Sequence, residues 1–174
     1  MSIERTWVHL TTEVPENGVD VHRVASADEC RELASELDVP GVACLEADYR
    51  IRPARGGVFK LTGEFQARIV QACVVTLEPI TSDIRETLGV EFRPADAMPE
   101  PERGEQEALA LEEIEPITHH QIRVGRVIAE ALAAAIDPYP RTPGAVFEIE
   151  GQQPEEPEKQ GPFAALARLK PKAD

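Results

Sequence analysis

Apolar and polar residues alternate with a period of two through the middle of the chain, and recur with a helical period on either side of it. Ala43, Leu45, Ala47, Tyr49 and Ile51 fall on one face of a run whose other face carries Cys44, Glu46, Asp48, Arg50 and Arg52. That is the pattern of a strand buried on one side. Pro53-Ala54-Arg55-Gly56-Gly57 supplies a hairpin turn, and the return strand sets Phe59, Leu61, Gly63, Phe65, Ala67 and Ile69 against Lys60, Thr62, Glu64, Gln66 and Arg68. The run continues into Gln71-Ala72-Cys73-Val74-Val75-Thr76-Leu77-Glu78-Pro79, where both alternating sets are largely apolar. This reads as a central strand covered on both sides and ended by Pro79, which has no N–H for a ladder. Ile80, Ile84, Leu88, Val90 and Phe92 then alternate with a mostly polar set, so three or four antiparallel strands follow in a meander.

The flanks read differently. Residues 4–11, with the single Trp, alternate loosely and predict an N-terminal strand. Ser26 and Glu29 have capping-box spacing ahead of the stripe Cys30, Leu33, Ala34 and Leu37, which predicts a helix reaching Leu37. Ile122 to Ile136 carries a broad apolar helical face, stopped by Asp137-Pro138-Tyr139-Pro140-Arg141. Tyr139, between two prolines, either lies back over the core or marks an exposed contact. Between Asp96 and Glu115 eight acidic residues accompany one basic residue, which predicts a mobile acidic loop. From Phe147 to Glu158 the chain is acidic and Pro-rich and reads as disordered, and Pro162 to Lys170 reads as a short amphipathic helix. That helix is too brief to be stable alone, so it docks on its own domain or binds something else. The pattern as a whole predicts an α+β fold: an antiparallel meander or partly open barrel packed by an N-terminal and a C-terminal helix. One domain is expected over 1–144, with a tail over 145–174.

Composition narrows the function classes. A chain of 174 residues supports one core, while 15 Pro and 5% aromatic residues suggest that part of it stays outside that core. A net charge of −14 gives a field that repels nucleic acid and attracts basic proteins. No long apolar run or charged-then-apolar leader is present, so neither a membrane span nor a signal peptide is expected, and the reading is cytoplasmic. Cys30, Cys44 and Cys73 lack C-x-x-C spacing and read as buried small residues in a reducing compartment. His119 and His120 are adjacent, a poor metal pair on a helix. Phosphate-cradle, dinucleotide, nucleophile-elbow and H-E-x-x-H motifs are all missing, and Glu112, Glu113 and Glu115 near the His pair lack the burial that tunes a catalytic carboxylate. No catalytic residue, metal or cofactor is expected. The hairpin collects Arg50, Arg52, Lys60 and Arg68 on one sheet face, together with Glu46, Asp48 and Glu64. A mixed solvated surface is the expectation there, with a local RNA patch as the alternative.

Taken in order, these elements resemble the YceD family, named for large ribosomal RNA subunit accumulation, and most of all its alphaproteobacterial branch. Three stretches carry the resemblance: Gln71 to Pro79, Val127 to Arg141, and the terminal Pro162-Phe163-Ala164-Ala165-Leu166. It implies a non-enzymatic part in the synthesis, processing or stability of 23S ribosomal RNA and in large-subunit assembly. Many relatives have Cys-x-x-Cys where this chain has Cys73-Val74-Val75-Thr76, and no thiol stands in Asp137-Pro138-Tyr139-Pro140, so a metal role is not inherited. Arg123 and Arg126 stand where the family leads one to expect acidic residues. With the charge argument, the expected partner is a basic ribosomal protein or assembly factor of the large subunit, with any RNA contact local or indirect. The candidate partner contacts are Arg50, Arg52, Lys60, Arg68, Tyr139, Arg141 and Phe163. A second reading treats the apolar faces of strands 43–51, 59–69 and 84–92 as the wall of a small-ligand-binding or enzymatic β-barrel.

Overall fold

The structure, a computed structural model, describes residues 2–98 and 113–146. Its centre is a five-stranded sheet in the order β2-β3-β4-β5-β6: β2 (Val19–Val24), β3 (Gly41–Pro53), β4 (Phe59–Ala72), β5 (Pro79–Pro94) and β6 (Glu113–Ile117). Strands β3 to β5 form the expected antiparallel meander, β2 joins it antiparallel to β3 across α2, and the sheet is not closed into a barrel. Strand β6 was not expected. It pairs parallel to β5, setting Ile114 beside Glu91 and Pro116 beside Arg93, so the last residues of the predicted acidic loop are a sheet edge. A two-stranded ribbon joins β1 (His9–Leu10) to β7 (Gln121–Ile122). Residues 99–112 of the predicted loop, and the predicted tail from 147 onward, lie outside the described residues.

One face of the sheet is buried by helices. Leu45, Ala47, Tyr49 and Ile51 on β3, Leu61, Phe65, Ala67 and Ile69 on β4, and Leu88, Val90 and Phe92 on β5 share a single apolar cluster. Helix α2 (Ala27–Glu36) adds Cys30, Leu33 and Ala34, and helix α3 (Val124–Ala135) adds Val127, Ile128 and Leu132. Side chains therefore fill the space that the barrel reading would make a ligand cavity. The wider depressions among the described residues are open ones, such as the one of about 470 Å³ beside Thr11, Phe59, Pro94 and Ile117.

Local chemistry explains where these elements start. The capping box on α2 forms as its spacing predicts: Glu29 N–H donates to Ser26 Oγ at 3.3 Å and Ser26 N–H to Glu29 Oε2 at 2.8 Å. Such a cap contributes about 1 kcal/mol. At the N-terminus the predicted strand gives way to a turn of helix, α1 (Ile3–Thr6), before β1. Ile3 and Trp7, four residues apart, both turn inward and are buried. Gly125 permits this packing: a Cβ there would lie 2.0 Å from the Ile3 carbonyl oxygen. On β3 a bulge between Val42 and Cys44 resets the alternation, so Val42 joins the core while Ala43 and Cys44 face outward. Cys44 is exposed, against the expectation of three buried cysteines; Cys30 and Cys73 are buried. His119 and His120 form a tight turn rather than a helix, both with left-handed backbone at φ 52° and 58°.

The largest correction concerns Gln71 to Pro79. Strand β4 stops at Ala72, residues 73–78 form a turn, and Pro79 opens β5 instead of ending a strand. Pro79 is tolerated there because it is the first residue of its strand.

Candidate partner-docking surfaces

Two surfaces of different character present the predicted contact residues. The first is the open face of the sheet, where opposite charges sit across from one another in register. Arg50 lies opposite Asp20, Lys60 opposite Glu91, Arg68 opposite Asp83 and His22 opposite Asp48. Each of these pairs is bonded: Lys60 Nζ is 2.7 Å from Glu91 Oε1, Arg68 Nε 2.7 Å from Asp83 Oδ1, His22 Nδ1 2.8 Å from Asp48 Oδ1, and Arg50 is joined to Asp20. Arg85 Nη2 reaches diagonally to Glu64 at 2.6 Å. Arg52 stands opposite Lys60 and has no carboxylate partner among the described residues. Arg68 pairs with Cys44, eight residues along β4 from Lys60. At a strand rise that separates it from the other three by roughly 20–26 Å. The face thus brings Arg50, Arg52 and Lys60 together and leaves Arg68 apart, and Arg50, Lys60 and Arg68 are held by carboxylates.

Two groups place three potential ligand atoms within 4.8 Å of one another: His22, Glu46 and Asp48 on this face, and Glu113, Glu115 and Glu130 where β6 meets α3. Both are partly open to solvent, and each has carboxylates already bonded within the protein. His22 serves the two carboxylates of the first, and Arg126 Nε bonds Glu130 Oε1 at 2.8 Å in the second. Burial raises the Glu115 carboxyl, with the Arg126 cation opposing the shift. On the covered face His9 Nε2 lies 2.8 Å from Tyr49 Oη. Burial pushes the Tyr49 hydroxyl up to about 12 and lowers the His9 imidazole, so at neutral pH this is an uncharged structural hydrogen bond.

The second surface is a corner built from two loops, 73–78 and 137–146. The turn after β4 is tightly closed: Cys73 N–H donates to Glu78 O at 2.8 Å and Leu77 N–H to Cys73 O at 2.9 Å. The Cys73 thiol points inward and accepts from the backbone N–H of Thr76 and of Thr142, both at 3.4 Å. The Thr76 side chain foremost, and then these N–H groups, lower the thiol to about 6. Among the described residues no further Cys or His joins Cys73 in a three-ligand group. Val74 N–H donates to Pro140 O at 2.9 Å, and Gln71 Nε2 to Asp137 O at 2.8 Å. Tyr139 N–H in turn is held by Asp137 Oδ1 at 2.8 Å. The result is a rigid frame that exposes apolar side chains: Leu77 is 77% exposed, Tyr139 71% and Val74 44%. Leu77 also has a left-handed φ of 60°, unfavourable for a residue with a Cβ. Tyr139 is therefore on the surface, not folded back on the core, and Arg141 is exposed beside it. Phe163 lies outside the described residues.

Val74 and Leu77 were missed as candidates because apolar residues on both alternating sets resemble a doubly covered strand. Glu78-Pro79 was the available signal for a turn. The two loops that meet here are two of the stretches on which the family resemblance rests. A family model described as large ribosomal RNA subunit accumulation protein YceD matches residues 61–170. The chain belongs to this family. The match takes in most of β4, all of β5, β6 and α3, and both loops of the corner, so Arg68, Tyr139, Arg141 and Phe163 fall within it and Arg50, Arg52 and Lys60 do not. No curated protein and no solved structure matches the chain. The family is named for accumulation of large-subunit ribosomal RNA and not for a reaction. Among the described residues no helix is long and apolar enough to cross a membrane.

Proposed function

We propose that this protein promotes large-subunit accumulation as a non-enzymatic assembly factor, acting by docking a basic ribosomal protein or assembly factor at the corner of Val74, Leu77, Tyr139 and Arg141. The observation that carries this reading is Leu77, a large apolar side chain held out in solvent on an unfavourable backbone conformation by a closed hydrogen-bonded turn. Unfavourable conformations persist where the surroundings impose them, and they concentrate at recognition sites. A fixed apolar and aromatic cluster is also what a binding hot spot consists of. The net charge of −14 selects positively charged company and speeds encounter with it.

In this proposal the sheet face is a rim of mixed charge, with Arg50, Arg52, Lys60 and Arg68 as secondary contacts and Arg52 as the place for any local RNA contact. The body over 1–144 acts as a single scaffold for both surfaces. The processing and stability of 23S ribosomal RNA are affected through the protein partner, in the cytoplasm, without a metal or cofactor. Deleting the gene and profiling ribosomes tests the assignment: a deficit of large subunits and their RNA is expected, and normal profiles would refute it. Pull-down from lysate with and without RNase separates the partner classes, since retention of ribosomal proteins after RNase marks direct protein contact and their loss marks an RNA bridge.

A further inference from the structure

The described chain ends at the corner. Thr142 N–H is bonded to Cys73 Sγ and Ala145 N–H to Thr142 O at 3.0 Å, so Val146 leaves the body beside the loop that carries Leu77. Past the acidic stretch Phe147 to Glu158, the sequence reverses the character of the rest of the chain. From Lys159 to Lys172 it holds four basic residues, Lys159, Arg168, Lys170 and Lys172, and no carboxylate, within a protein of net charge −14. The same stretch carries Phe163, Leu166 and Leu169 at three-residue intervals.

We infer that the segment Pro162 to Lys170 covers the corner in the free chain, placing Phe163, Leu166 and Leu169 against Val74, Leu77 and Tyr139, so that a partner gains this surface by displacing it. Three arguments support that occupant. The corner offers apolar side chains, and the segment is the apolar sequence tethered beside it. The charge fits: the corner loops carry Glu78 and Asp137 against the single cation Arg141, and the body around them is strongly negative. The tether fits as well. About 17 residues separate Val146 from Phe163. As a coil such a linker spans roughly 20–25 Å. It sets an effective concentration on the order of millimolar, so even a weak contact is populated. A segment this short gains little helix by itself, and docking supplies the missing burial.

This inference rests on the corner being a contact surface, and the following test separates the two. In the full chain carrying Cys44→Ser, Ala167→Cys is labelled with a nitroxide, single labelling is confirmed by mass, and backbone and methyl signals are recorded by NMR. Loss of signal intensity at Val74, Leu77 and Tyr139 is expected, recovered on reducing the nitroxide and abolished by adding Phe163→Glu or, at an exposed site of the body, Leu77→Asp. No loss, or loss centred on another surface, overturns the inference. So does loss seen when nitroxide-bearing unenriched chains are mixed with unlabelled isotope-enriched ones, because the segment then acts between copies. If docking is not seen while corner variants still lose large-subunit RNA in cells, only this inference fails. If docking is seen and corner variants behave as wild type in cells, the docking reading of the corner fails and the intramolecular contact stands.

Discussion

The open sheet face and the corner differ in how each has settled its side chains. On the sheet face, regular strands put opposite charges directly across from one another, and most of the cations there are already bonded within the protein. At the corner, irregular backbone is fixed by bonds from Cys73, Gln71 and Asp137, while the apolar side chains it carries have no counterpart among the described residues. A surface whose groups are mutually satisfied gives up its own pairs before it can bind. A surface whose backbone is already fixed by its own bonds needs no rebuilding of that backbone to bind, only release of a segment lying over it. The contrast favours the corner over the sheet face for the proposed docking.

The comparison can be broken at several points. The largest stability effect is expected behind the corner: Gln71→Ala removes the buried bond to the Asp137 carbonyl and should cost about 1–3 kcal/mol, read as a shift of the urea midpoint. Cys73→Ser should also destabilise, with a pH signature. Folding lowers the thiol from 9.0 to about 6, so its contribution is fully present above pH 9 and is lost as pH falls through 6. The wild-type protein should therefore gain stability relative to Cys73→Ser as pH rises from 6 to 9, and parallel profiles would exclude a native thiolate. Leu77→Gly should go the other way, raising stability by up to about 1 kcal/mol by relieving the left-handed leucine while weakening partner binding. A destabilised Leu77→Gly chain would mean that Leu77 serves folding. The smallest effect belongs to the sheet face: a double-mutant cycle on Arg50 and Asp20 should give a coupling within about 1 kcal/mol, shrinking with added salt.

Where local signals decide a structure, they were readable in the sequence. Ser26 and Glu29 announce α2, and the alternation through β3 and β4 with Gly56-Gly57 between them announces the hairpin. Two of the misreadings share a cause, in that each depends on a partner distant in sequence. Strand β6 exists through parallel pairing with β5, which nothing within Glu113–Ile117 encodes. Ile3 and Trp7 adopt a helical turn because α3 approaches closely at Gly125. The sheet-face residues were visible as a mixed set, but which carboxylate holds which cation follows from the β2–β3 and β4–β5 registers. The prolines on either side of Tyr139 left open whether it lies over the core or is exposed, and the structure exposes it, whereas Val74 and Leu77 were concealed by looking like core.

The most direct test replaces the corner in cells. A chain carrying Leu77→Asp and Tyr139→Asp, both exposed and so expected to leave folding within about 0.5 kcal/mol of wild type per site, is expressed in a strain lacking the gene, and large-subunit ribosomal RNA is quantified. RNA as low as in the deletion strain, with the variant present at wild-type abundance and stability, is the predicted result. RNA restored to the wild-type level by that variant would contradict the account.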